Sequence, residues 1–426
     1  MIVGVEEEKG ILSISFQLEG SDLPKPTEKF QMGERGCKFH LPRGVNKEEI
    51  HPDHLALVIV MLCSPFCKGR IRLPGGISRR FFESTKIFSR FDVEPDHFSV
   101  EPYQPPDSAK LALSFSGGVD STAALALMPE NTVCVFLDRP IRGRSLYDKD
   151  AQYHICEELI GMGREVLMIE SDLEYIRDPV GFPVDVANSA PAVLISQRMG
   201  FNSIAFGTIL ESAYGIGHER YREYSLGRHF RTWGGLFSGA GIPLNLVVAG
   251  ISEVGTSKIN VSHNFGSFSQ SCIRGKRMSP CLNCWKCFRK ILLDKVIRGE
   301  EIENSLLDEL FEIKEARHFL RSFPIKHENI LTWITSRYTG NHQLMLELKH
   351  RVRGDKMTLE WLEYWNPESA NLIHETCRES VIENIIREIG CMDEEMLEEM
   401  KNWDMDEMLN SEHYSSIHQD FVNSIN

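Results

Sequence analysis

Two stretches of the chain carry side chains whose types and spacing could do chemistry. The first is Ser116-Gly117-Gly118-Val119-Asp120-Ser121-Thr122. Adjacent glycines let the backbone approach a ligand with no Cβ in the way. If a helix begins at this point, its first amides lack intrahelical partners and its dipole favours negative charge. Ser116, Ser121 and Thr122 add hydroxyl donors. A carboxylate, Asp120, belongs among phosphate donors if it orients amides or helps hold Mg2+, which takes oxygen ligands alongside phosphate. The stretch lacks the G-x-x-x-x-G-K-[ST] pattern and is not a Walker loop. The plain alternative is a glycine-rich turn with no ligand.

The second stretch places Cys272, Cys281, Cys284 and Cys287 at C-x8-C-x2-C-x2-C. A C-x2-C pair forms a knuckle on a tetrahedral ion, and a loop brings round the remaining ligands. Four thiolates suit Zn2+ or an iron–sulfur centre. Arg274, Lys276, Arg277, Lys286, Arg289 and Lys290 border the cluster and would partly offset its charge. The other cysteines, including the pair Cys63 and Cys67 at helical spacing, read as packed thiols.

These residues need a scaffold. Leu111, Ala112, Leu113 and Phe115 form an apolar run of buried-strand length. Ala123 to Met128 is a strong helix former. The glycine pair therefore sits between a strand and a helix over Ser121–Met128. Residues 108 to 293 continue the alternation. Further strands are expected at Thr132–Leu137, Glu165–Ile169, Ser203–Phe206 and Leu244–Val248, and helices at Asp148–Met162 and Ala190–Met199. The pattern predicts an α/β fold with a parallel sheet covered on both faces. Ligands then lie beyond the carboxyl ends of the strands. Asp138, Gly207 and Thr208 fall at that edge, and Asp138 could equally cap the turn before Pro140. Residues 1 to 105 read as an α+β unit, with a strand at Ile11–Gln17 and a helix over His51–Phe66. Residues 294 to 426 read as a helical unit ending in an acidic tail, a solvated face or loose segment by default, with protein docking as a further possibility.

Composition bounds the rest. The chain has 426 residues, a net charge of −14, 42% hydrophobic and 25% charged residues. These are values of a soluble globular protein of two or three domains. The acidic balance argues against extensive nucleic-acid binding. Eleven cysteines, no signal-peptide pattern in Met1–Gly10 and a longest apolar run, Leu55–Cys63, too short to cross a bilayer point to a cytoplasmic protein without disulfides.

SGGVDS after a strand resembles the PP-loop of the N-type ATP pyrophosphatases. With the cysteine pattern downstream, residues 110 to 293 resemble the 7-cyano-7-deazaguanine synthases of the queuosine pathway and their relatives. That resemblance implies a doubly wound sheet of the adenine nucleotide alpha hydrolase-like (HUP) type, ATP with Mg2+, and a structural Zn2+ on the four cysteines. It implies that Ser116 to Thr122 hold the pyrophosphate end of ATP and that Asp138, Gly207 and Thr208 border the adenosine. Asn188 precedes a helix as an asparagine does in that family. Ala205-Phe206-Gly207-Thr208-Ile-Leu-Glu211 resembles its strand leading into the substrate loop. Ser257-Lys258-Ile259 resembles its short Ser-Lys helix. Ser116, Asp120, Ser121 and Lys258 are then the catalytic candidates, with Lys258 neutralising phosphate charge. Glu211 and Arg220 are the substrate candidates, Arg220 lying in a stretch from His218 to Arg231 that mixes cations with aromatics.

The chain departs from the family after the second strand, where Asp138-Arg139-Pro140-Ile141-Arg142 replaces Tyr-Gly-Gln-Arg-His, and in the loop after Gly207. Both are substrate-side positions. The expected activity is adenylation of a carboxylate with release of pyrophosphate, followed by transfer to ammonia or an amine, on a small molecule or modified base. Relatives with added flanking units occur in bacterial antiviral defence cassettes. Alternatives are a tRNA-modifying PP-loop enzyme, of thiolase or lysidine-synthase type, and an ATP-binding scaffold in a protein complex.

Overall fold

A computed structural model describes residues 1–143, 147–217 and 219–425. His218, at the start of the cationic and aromatic stretch, lies outside them. The chain opens with β1 (Ile2–Glu8), β2 (Ile11–Gln17), a short β3 (Gln31–Met32) and β4 (Gly36–His40). Helix α1 (Pro52–Cys63), β5 (Gly69–Arg72), α2 (Arg79–Thr85) and β6 (Phe91–Glu94) follow. They build a mixed sheet in the order β4-β2-β1-β5-β6.

The central segment supplies β7 (Lys110–Phe115), α3 (Val119–Leu127), β8 (Val133–Asp138), α4 (Asp150–Gly161), β9 (Val166–Glu170) and a short β10 (Arg177–Asp178). It continues through α5 (Ala190–Met199), β11 (Phe201–Ala205), α6 (Leu210–Tyr214), α7 (Arg228–Gly239), β12 (Leu244–Asn245), α8 (Glu253–Ser262) and α9 (Trp285–Ile297). Its sheet runs β12-β11-β7-β8-β9, and every pairing in it is parallel. The expected α/β architecture is present.

Why β7 is apolar throughout follows from its place at the middle of that sheet. Leu111, Leu113 and Phe115 enter one apolar layer with Leu125 and Leu127 of α3. Ala112, between them, faces the opposite layer with Val193 and Leu194 of α5. A strand buried on both faces cannot alternate with polar residues.

The expected strand at Leu244–Val248 stops after two residues. Leu246 leaves the ladder and donates its amide to Leu372 O at 2.9 Å, and the chain folds into a buried turn at Ala249 and Ile251. The apolar run there marks burial, which periodicity alone does not distinguish from a strand.

Beyond α9 come α10 (Asn304–Glu312), α11 (Lys314–Leu320), α12 (Glu328–Ser336), α13 (Gln343–Arg351) and α14 (Arg378–Ile389). The chain closes with α15 (Glu394–Lys401), α16 (Asp406–Leu409) and α17 (Glu412–Ser424). This part is helical as expected, but it shares cores with what precedes it. Val381, Ile385 and Ile389 of α14 pack in the layer of Leu113 and Phe115, and Asn384 Nδ2 donates to Leu127 O at 2.9 Å. The acidic tail is not loose. Met400, Trp403, Met405, Met408 and Phe421 are buried, so its carboxylates form the wet face of packed helices. The N-terminal sheet is likewise joined to the centre, through the β3–β10 ladder and through α1 against α5. Among the described residues, no helix is long and apolar enough to cross a membrane.

Candidate functional site: a glycine turn and a cysteine knuckle on one cavity

The strand order of the parallel sheet reverses between β7 and β11, and a crevice opens there past the carboxyl ends of the strands,. It holds a cavity of about 360 Å³. One wall is Ser116, Gly118, Val119, Asp120 and Ser121, with Gly207 and Thr208 beside them.

The turn is shaped by its own residues. Gly117 has φ +72°, a left-handed conformation that favours glycine, and a Cβ there would press on Ile155 Cγ2 at 3.0 Å. Ser121, itself buried, closes the loop. Its Oγ accepts from Ser116 N at 3.3 Å, meets Ser116 Oγ at 3.0 Å and donates to Gly118 O at 3.1 Å. Helix α3 begins at Val119 with no side chain capping it, which leaves its first amides for a ligand. Asp120 is held from the helix packed beside α3, where Thr256 Oγ1 of α8 donates to its Oδ1 at 2.9 Å. Gly207 lies so close that a Cβ on it would sit 2.8 Å from Ser121 N.

The opposite wall is aromatic and polar. Asp185 Oδ2 lies 2.6 Å from His229 Nε2, and the other ring nitrogen of His229 is 3.0 Å from Tyr224 OH. Asn188 joins them, its Oδ1 buried and unpartnered among the described residues. Arg139 pairs with Glu174 at 3.0 Å and stacks over Tyr147. Phe206, Leu244 and Leu246 give apolar surface between the walls.

The four cysteine sulfurs all lie within 4.8 Å of one another. Cys272–Cys284, Cys281–Cys287 and Cys284–Cys287 are 3.9, 3.7 and 3.5 Å apart. A tetrahedron with metal–sulfur bonds of about 2.3 Å has edges of about 3.8 Å, so the cluster fits one metal ion such as zinc. Backbone amides support it: Cys287 N donates to Cys284 Sγ at 3.4 Å and Cys281 N to Cys272 Sγ at 3.5 Å. Among the bare thiols, contacts with Cys284 and Cys287 hold Cys272 far below the usual range, and contacts with Cys272 and Cys284 push Cys287 up. Four such thiols do not ionise together without a cation to share.

Residues 232–404 match the model of a family of unknown function, DUF6395. The match begins in α7, takes in α8, the whole cysteine cluster and α14, and ends just beyond α15. It leaves the glycine turn outside. No curated protein matches the chain.

Several candidates are not brought to the cavity. Lys258 Nζ pairs with Glu363 at 2.9 Å, a carboxylate that Arg337 also contacts. Its place on α8 points it to the helical layer, away from the crevice. Lys286 lines the cavity instead. Its side chain is exposed to solvent, while the protein groups packed around its ammonium desolvate it and lower its pKa, with Asp120 opposing the shift. Glu211 is buried beneath the site rather than in it. Its carboxylate accepts from Glu253 N at 3.1 Å and from Asn329 Nδ2 at 3.2 Å, and burial, with the neighbouring Glu253 charge, pushes its pKa up to about 8. Burial alone would raise Glu253 too, but Arg289 and Lys290 outweigh it and hold that carboxyl far below the usual range. Arg220 is exposed and does not line the cavity; its stretch contributes Tyr224 and His229. Asp138 lies next to the cavity wall, bound by Lys149 at 2.5 Å and Tyr153 OH at 2.8 Å. Thr122 is fully buried under the turn. Nothing in the local sequence marks Asp185, whose role depends on the distant His229.

Proposed function

We propose that the chain is an ATP-dependent ligase of the PP-loop type, related to the 7-cyano-7-deazaguanine synthases, that adenylates a carboxylate and passes the acyl group to ammonia or an amine. The observation that carries this reading is the turn from Ser116 to Ser121, closed by its own serines, with uncapped helix amides opening on a cavity at the reversal of strand order. The strand order and the apolar layers on both faces support a doubly wound sheet of the adenine nucleotide alpha hydrolase-like type.

In this reading the triphosphate lies on the turn, and the adenosine lies toward Gly207, Thr208 and the apolar strip at Phe206 and Leu246. A substrate carboxylate oxygen attacks the α-phosphorus. The bond between that phosphorus and the bridging oxygen to the β-phosphorus breaks, and pyrophosphate leaves with the electron pair. The chain's own part is to stabilise the charge that develops on the leaving group, which helix amides and the Ser116 hydroxyl do with little reorganisation. Asp120, fixed by Thr256, would hold Mg2+, which supplies charge neutralisation on the phosphates when bound.

In the second half-reaction a neutral amine attacks the acyl carbon, AMP leaves, and the amine's excess proton must be removed. His229, between Asp185 and Tyr224, stands on the acceptor wall where a base is needed. Zinc on the four cysteines would be structural, since four protein ligands leave no open position.

The test is formation of AMP and pyrophosphate from Mg-ATP with ammonium and candidate carboxylates, beginning with 7-carboxy-7-deazaguanine. Asp120→Ala and Ser121→Ala should each suppress pyrophosphate release. Activity surviving in both would remove the turn from the mechanism.

A further inference from the structure

We propose that Lys286 is the cation that takes the charge of the departing diphosphate, and that the cysteine knuckle is the arm that sets it in place. This rests on the nucleotide reading above.

Lys286 lines the cavity together with Gly118, Asp120 and Ser121. Among the described residues it has neither an ion-pair nor a hydrogen-bond partner. Other cations near it are committed: Arg139 to Glu174, Lys258 to Glu363, Arg289 and Lys290 to Glu253. An unpaired ammonium on the cavity wall, exposed to solvent and beside uncapped helix amides, is placed to take an anion. The leaving group gives it a task. Diphosphate keeps net negative charge even with Mg2+ bound, and the turn itself offers only dipoles and hydroxyls, so a side-chain cation at this wall adds the positive charge the turn lacks.

The position of that charge follows from the metal ligands around it. Lys286 stands between Cys284 and Cys287 in the first turn of α9. Cys284 caps that helix, its sulfur accepting Cys287 N. With both sulfurs on one ion, the rotation of the turn is fixed. Residue 286, about 100° round the helix from residue 287, is then turned off the metal and into the crevice. The loop before the first ligand is stitched to the same place. Gln270 N donates to Gly117 O at 3.2 Å, and Gln270 Nε2 to Cys272 O at 3.0 Å. Metal cluster and glycine turn are thus one construction, and occupancy of the first tunes anion affinity at the second.

The experiment is calorimetric titration of inorganic pyrophosphate, and separately ATP, with Mg2+, into the zinc-loaded full chain. Lys286→Met is expected to weaken pyrophosphate binding roughly ten- to hundred-fold, the usual effect of losing a charged hydrogen-bond partner, with zinc content unchanged. Lys286→Arg should recover part of the loss, and Lys258→Met should bind like the wild type. Stripping zinc should weaken binding by the wild type far more than by Lys286→Met, since the arm then has nothing to position. If the wild type binds and Lys286→Met binds equally well, the lysine's role is overturned while the nucleotide reading stands. If zinc removal weakens both proteins by the same factor, the arm is overturned. If the zinc-loaded wild type binds neither pyrophosphate nor ATP, the nucleotide reading falls and this inference with it.

Discussion

Gly207 rests against Ser121: a Cβ added to the glycine would lie 2.8 Å from the serine amide nitrogen and 3.1 Å from its Cα. The end of β11 and the first turn of α3 are thereby held at a spacing that no other residue type permits. Gly207→Ala must push the turn away or strain it, at a cost of about 1–3 kcal/mol for an overpacked contact. The expected outcome is a lowered melting midpoint and an ATP affinity reduced about ten-fold or more, as about 1.4 kcal/mol corresponds to each factor of ten. Unchanged nucleotide binding in a folded Gly207→Ala protein would dissociate the turn from the ligand.

Thr256→Val removes the hydroxyl that Asp120 accepts from at nearly constant volume. Losing one such bond costs about 0.5–1.5 kcal/mol of stability. The larger effect is expected on Mg-ATP turnover, because an unheld carboxylate samples other rotamers. A pyrophosphate-release assay beside a thermal melt separates the two. Equal turnover in Thr256→Val and wild type would show that Asp120 needs no orientation from α8.

Metal analysis should return one zinc ion per chain in a colourless protein, with a brown iron–sulfur preparation as the contrary result. Cys281→Ser should lower zinc content and the melting midpoint together, because ligand binding to the native state adds its free energy to folding.

Glu211 provides a signature in pH. Its pKa is raised from 4.5 to about 8 by burial, so the native state binds its proton more tightly than the unfolded chain. The resulting stability is complete below the unfolded pKa, declines between roughly pH 4.5 and 8, and is absent above. The slope approaches about 1.4 kcal/mol per pH unit where the two states differ by one proton. Glu253, shifted the opposite way, contributes a constant amount above pH 5 or so. Chemical denaturation from pH 5 to 8 should therefore show wild-type stability falling relative to Glu211→Gln. Parallel profiles would place an ionised carboxylate at Glu211.

The parts of this arrangement differ in how far the sequence betrays them. β7, the glycine pair and α3 follow from a contiguous apolar run meeting a helix former, both local signals. The cysteine cluster is legible for the same reason, with three of its ligands within seven residues. β1 is harder to read, since Glu6, Glu7 and Glu8 obscure the alternation that buries Val3 and Val5. Which lysine serves the cavity is not a local property. Lys258 and Lys286 both stand on helices beside the site, and the choice between them depends on helix rotation, set for Lys286 by sulfur and for Lys258 by Glu363. Asp185 and His229 lie 44 positions apart in the chain and meet only because the fold brings the segment before α5 and the first turn of α7 to one rim. The acidic C-terminus was equally opaque: charge counts describe its wet face, and the methionines and tryptophan beneath carry the packing.

The placement of α14 against α3 and α8 has a bearing on how the protein is made. The apolar layer that β7 and α3 begin is completed by Val381, Ile385 and Ile389, encoded more than 250 positions beyond the end of α3, so at translation speeds of ~5–20 residues per second the greasy outer side of that layer stays bare on the order of tens of seconds. Synthesis of this chain therefore leans on whatever shields unfinished polypeptides, and a prematurely terminated product would be left sticky rather than merely inactive.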